Sequence, residues 1–79
     1  MRFHPYFDRS RRRHSNVTRE IAEAIANSYE HEETQDDGRF RRWGYSEDLE
    51  QYIRVILLPD GETILNAFPD RDYERKYKP

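Results

Sequence analysis

The chain contains no cysteine. No disulfide and no thiolate metal site can hold it together, and nothing in it calls for an oxidising compartment. It has only three glycines. That scarcity excludes the Gly-rich phosphate loop, the dinucleotide fingerprint and the nucleophile elbow, each of which needs glycines at set spacings. No apolar run approaches the roughly 18 residues of a membrane span, and no apolar segment follows the N-terminus. Neither a transmembrane helix nor a signal peptide is expected, and the expected location is the cytoplasm with no membrane partner. Apolar residues are scarce as well, 34% against 38% charged, with a mean hydropathy of −1.27. A chain so composed lies near the boundary with disorder.

What is present is concentrated. The 79 residues are enough for one domain, 1–79, and a domain of this size buries only about 60% of the surface its unfolded chain exposes. Most strong apolar residues fall in 52–58 and 62–68, with a smaller set in 17–29. That distribution predicts a thin core of helix on sheet: 1–29 helical, 30–68 sheet, and 72–79 a flexible charged tail. Charge is segregated too. Residues 1–19 hold six arginines and one acid, and residues 20–37 hold seven acids with no Lys or Arg. Such a dipole can neutralise itself within the fold, or its arginine side can meet an anion such as nucleic acid.

The local signals run in order. Pro5 suits the first turn of a short helix. Thr18 can cap a second helix in which Ile21, Ala22, Ile25 and Tyr29 recur at helical spacing. Asp37–Gly38 marks a hairpin between a polar edge strand near 30–35 and a strand near 39–45. The latter alternates Arg39, Arg41, Trp43 and Tyr45 against Phe40, Arg42 and Gly44. Which set faces the core depends on the turn type and stays open. Pro59-Asp60-Gly61 predicts a tight turn that pairs Leu58 with Glu62. Counting back, Arg54 faces Asn66 and Tyr52 faces Phe68, opposite an apolar face of Ile53, Val55, Leu57, Thr63, Leu65 and Ala67.

Arg54 and Asn66 are therefore the unexpected residues, polar groups set within the two most apolar strands. A guanidinium fork suits phosphate, an amide both donates and accepts, and flanking aromatics offer stacking surfaces. The plainer reading is a solvated sheet face whose arginine stem covers an apolar neighbour. His4 and His14, beside the arginine-rich arm, are the candidate proton carriers. His31 lies in an acidic strand, and the acids at 30, 32, 33, 36 and 37 read as a solvated edge. No histidine pair has metal-ligand spacing, so no metal is expected.

The stretches "FHPYFDR", "VTREIAEAI", "DGRFRRWG" and "YIRVILLPDGETILNAFPDR" resemble a small bacterial family that is itself similar to the RelE/ParE-type toxin group. That group shares its fold with barnase-like and colicin-like ribonucleases. The resemblance covers about residues 3–71. It implies an α+β fold, one or two N-terminal helices on one face of a four-stranded antiparallel sheet (a β-meander), with any site on the opposite face. It implies a metal-independent endoribonuclease without a cofactor, in which the ribose 2′-OH attacks the adjacent phosphate. Its partners would be RNA and a small antitoxin-like protein. In such a site Arg54 and Arg39 or Arg41 would hold the phosphate, and His4 or His14 would move protons. Asn66 would orient the nucleotide, and Trp43 or Tyr52 would stack. The same resemblance sets Arg9, Arg13, Asp70 and Arg71 nearby. The alternative is a non-catalytic RNA-binding or protein-interaction module of the same fold.

Overall fold

The computed structural model of the chain describes residues 1–11 and 16–77. The elements in order are β1 (Arg2–Phe3), α1 (Tyr6–Arg11), α2 (Arg19–Asn27), β2 (His31–Thr34), β3 (Phe40–Ser46), β4 (Gln51–Leu57), β5 (Thr63–Pro69) and α3 (Arg71–Tyr77). They build one sheet in the order β1-β5-β4-β3-β2, antiparallel except for the β1–β5 pair, which is parallel.

The expected four-stranded antiparallel sheet is thus overturned. The sheet is mixed and five-stranded, and it carries a third helix. The fifth strand is only two residues long, too short to show any alternation in sequence. It exists because β5 would otherwise present an unpaired edge. Arg2 N–H donates to Glu62 O at 3.1 Å and His4 N–H to Ile64 O at 2.8 Å, which pairs the start of that edge. The opposite edge, β2, is protected by its charge, His-Glu-Glu-Thr.

α2 forms where its signals predict. Thr18 Oγ1 accepts from Ile21 N–H at 3.2 Å, Glu20 sits in the positive first turn, and Ala22, Ile25 and Ala26 are buried. These three share one core with Phe7 of α1, Val17, and Ile53, Val55, Leu57, Ile64 and Ala67 of the sheet. Gly44 lets α2 approach β3 closely, since a Cβ there would lie 3.2 Å from Ile25 Cδ1. Arg42 faces the same side and ties the sheet to the helix end. It donates to Ala26 O at 2.9 Å, pairs with Glu32 at 2.6 Å, and lies 4.6 Å from the Tyr29 ring centroid. The strand left open in sequence is thereby oriented: Phe40, Arg42 and Gly44 turn to α2, and Arg41, Trp43 and Tyr45 turn away.

The β4–β5 register differs from the expected one. The turn closes through Leu58 N–H to Thr63 O at 2.9 Å and Gly61 N–H to Leu58 O at 2.9 Å, with Gly61 at φ +70°. The loop is one residue longer than Leu58 pairing with Glu62 requires, because the Asp60 carboxylate captures Glu62 N–H, Thr63 N–H and the Thr63 hydroxyl. That extra residue turns Ile64 into the core, where it pairs with Leu57, and leaves Thr63 and Leu65 only half-buried. An irregularity before Asn66 then restores the expected faces. Arg54 consequently pairs with Phe68, and Asn66 with Ile56. Arg54 and Asn66 share a face but sit diagonally.

In place of the expected flexible tail, residues 71–77 form α3 on the face opposite α2. Asp70 caps it, accepting from Tyr73 N–H at 3.1 Å, and Tyr73 is its buried anchor. Among the described residues no helix is long and apolar enough to cross a membrane.

Candidate functional site

The face beneath α3 is laid down by strand register as two cross-strand rows. One runs Glu33, Arg41, Ile56, Asn66, and the next runs His31, Trp43, Arg54, Phe68. Tyr45 and Tyr52 pair beyond them with rings 5.2 Å apart. Period-2 alternation on four paired strands is enough to gather these side chains from positions 31 to 68.

A cavity of about 170 Å³ opens between the rows and α3, lined by Arg41, Trp43, Arg54, Glu33, Asp70 and Tyr77, among others. Arg41 Nε, Arg54 Nε and Asn66 Oδ1 are buried with no hydrogen-bond partner. Buried polar atoms in this condition are uncommon, and each invites an explanation. Arg54 does have electrostatic company. Its Nε lies 3.6 Å from Asp70 Oδ2, beyond hydrogen-bonding distance, and its guanidinium carbon lies 4.4 Å from the Phe68 ring centroid. A wider cavity of about 500 Å³ also borders Arg54 and is lined by Gln51, Phe68, Asp70 and Arg71, among others.

At the β2 side, His31 Nε2 lies 3.0 Å from Glu33 Oε2, and Tyr77 donates its hydroxyl to the same oxygen at 2.6 Å. These two contacts, Tyr77 first and His31 second, hold the Glu33 carboxyl below its ordinary range. Glu33 is therefore an anion that orients its neighbours. The His31 ring rests 5.4 Å from Trp43 and 4.8 Å from Tyr77.

The residues singled out from the sequence divide into those this face gathers and those it does not. Arg41, Trp43, Tyr52, Arg54 and Asn66 are on it, and Arg71 is exposed at the start of α3. Trp43, however, is only 3% exposed, so its ring is already covered. His4 is not part of the face: its Nδ1 accepts from Tyr6 N–H at 3.0 Å at the start of α1. Arg39 lies in the hairpin turn, bound to Asp37 at 3.5 Å, and Arg9 stacks 5.9 Å from the Tyr6 ring. Arg13 and His14 lie outside the described residues. The sequence reading missed His31 and Glu33. Both face Trp43 and Arg41 once the Asp37–Gly38 turn fixes the β2–β3 register, a signal that was present but could not be aligned without the turn type.

No family model, curated protein or solved structure matches the chain.

Proposed function

We propose that the protein binds RNA through the face beneath α3 and cleaves it as a metal-independent, toxin-like endoribonuclease. The observation that carries this reading is the pair Arg41 and Arg54. They sit diagonally on neighbouring strands, each with a buried Nε that lacks a hydrogen-bond partner, and both line one cavity. A phosphodiester supplies the acceptors those donors lack, in the planar geometry guanidinium groups favour. The sequence resemblance to the RelE/ParE-type group supports the same reading and brings with it a small antitoxin-like partner.

The phosphate contacts stay with Arg41 and Arg54, and proton transfer is assigned to His31 in place of His4 or His14. The 2′-oxygen forms a bond to phosphorus and its proton passes to His31, which Glu33 holds in place. The bond from phosphorus to the 5′-oxygen breaks, and that oxygen takes a proton from water. The products are a cyclic 2′,3′-phosphate and a free 5′-hydroxyl. Arg41 and Arg54 stabilise the charge that grows on the equatorial oxygens.

A second reading, binding without cleavage, is favoured by one observation: the His31 ring is packed against both Trp43 and Tyr77. The purified protein mixed with end-labelled single-stranded RNA separates the two. Cleavage should yield cyclic-phosphate ends, disappear in His31→Ala with binding retained, and both should fall at least about tenfold in Arg54→Ala. Binding with intact RNA establishes the second reading. Absence of binding by the folded protein ends both.

A further inference from the structure

We infer that α3 is a reversible strap in which Asp70 and Tyr73 hold the places of a nucleotide's phosphate and base, so that the free protein keeps its own RNA site closed. The strap presupposes the RNA reading above and adds the regulation of that site.

The contacts of α3 with the sheet match those of a nucleotide in kind. The Asp70 carboxylate accepts from Trp43 Nε1 at 2.9 Å and faces Arg54 Nε at 3.6 Å. It offers an anionic oxygen to the guanidinium that a phosphate would meet. The Tyr73 ring lies 5.3 Å from Trp43 at an interplanar angle of 14°, the near-parallel stack a base adopts on an aromatic platform. Other ring pairs on this face are tilted: His31–Tyr77 by 38°, Tyr52–Tyr73 by 48° and Trp43–Tyr77 by 50°.

The strap is also weakly held. α3 has seven residues, and its one buried side chain is Tyr73. An isolated helix shorter than about 12 residues is not stable in water, so α3 owes its order to these contacts. Its opening leaves untouched the core under α2, which is built from other residues. A local unit with few apolar contacts opens more readily than the whole fold. Asp70 N–H stays bound to Tyr52 O at 2.9 Å, which sets the hinge just beyond residue 70. Opening uncovers Trp43 as a stacking surface, and it releases the Asp70 side chain from its cap on Tyr73 N–H, so that the carboxylate is free to rotate away from Arg54.

The consequence is competition. A site occupied by its own strap binds with an apparent affinity reduced by the fraction of molecules that are open. Asp70→Asn tests this in the full chain, because asparagine remains a good N-cap while the negative charge over Arg54 is gone. Asp72→Asn makes the same charge change on a side chain that is 92% exposed. The probe is a short single-stranded oligoribonucleotide with 2′-O-methyl riboses, which cannot be cleaved by 2′-attack. Binding is read from Trp43, the single tryptophan. Asp70→Asn should bind about tenfold tighter than wild type and Asp72→Asn within about threefold of it. In the wild-type complex the α3 amides should exchange faster with solvent than in the free protein, while β3 and β4 amides are further protected.

Equal effects of the two substitutions, or α3 amides that remain as protected in the complex as in the free protein, overturn the strap and leave RNA binding standing. The wild-type exchange measurement decides this even if Asp70→Asn folds poorly. If neither wild type nor folded Asp70→Asn binds the oligonucleotide, the RNA reading falls and the strap falls with it.

Discussion

The two faces of one sheet are built on different principles. The face under α2 is apolar and closed: Ile53, Val55, Leu57 and Ile64 are fully buried against Ala22, Ile25, Ala26 and Phe7. Arg42, beside it, has its guanidinium paired with Glu32 and a helix carbonyl. The face under α3 is aromatic and charged, and three of its polar atoms are buried without hydrogen bonds. The first face supplies the hydrophobic term that a short, highly charged chain needs in order to fold at all. The second leaves donors unpaired and is covered by a seven-residue helix. Stability and recognition are thereby divided between two sides of the same strands, so each side can be perturbed separately.

Mutations should expose that division. The largest effect belongs to the α2 face. Leu57→Ala should cost about 2–5 kcal/mol in a denaturant titration, from lost burial and the cavity it leaves. A loss below about 1 kcal/mol would mean that the core does not hold the fold as described. Thr18→Ala, on the same side, should cost about 1 kcal/mol through the lost cap on α2, measured in the same way. Arg54→Met, on the α3 face, should change stability by about 1 kcal/mol or less. It keeps the stem packing and removes a partly exposed ion pair and a ring contact. Its RNA binding should nevertheless be lost in the same oligonucleotide titration. A large stability loss at this position would erase the contrast between the faces.

Acid should act gently and in order. Tyr77 and His31 hold the Glu33 carboxyl below its ordinary 4.5, and Thr63 with the backbone N–H groups of Glu62 and Thr63 hold Asp60 down to about 2. Both carboxyls titrate lower in the folded chain than in the unfolded one. Their stabilisation is therefore complete above the unfolded values and is lost as pH falls through the folded ones. Side-chain NMR shifts should show the Tyr77–Glu33 contact weakening below about pH 4.5, before the Asp60 turn loosens toward pH 2. The reverse order would mean that α3 is not held through Glu33.

Much of the α2 face could be read directly from the sequence. Thr18, the helical recurrence of Ile21, Ala22, Ile25 and Tyr29 (of which Ala22 and Ile25 are buried and Tyr29 is exposed), and the alternation Ile53-Val55-Leu57 are local signals, each contained within a few residues. The α3 face was legible only in part. Arg54 and Asn66 stood out as polar residues among apolar neighbours, yet their pairing depended on a loop that Asp60 lengthens by capturing three donors. His31 and Glu33 looked like solvent-facing acid-strand residues because nothing local reveals what lies across from them. α3 reads as a charged tail because its buried anchor, Tyr73, rests on Trp43, 30 positions away.

By itself, the sequence determined where α2 and the strands β2 to β5 could form and that Arg54 would sit among apolar residues, because propensity, capping and alternation act over short distances. The tertiary structure alone decided which side chains share the second face, that β1 pairs the start of the β5 edge, and that α3 covers Trp43 and Arg54. Register and docking depend on contacts between distant segments, and a one-residue change in a single loop is enough to turn Ile64 from one face to the other.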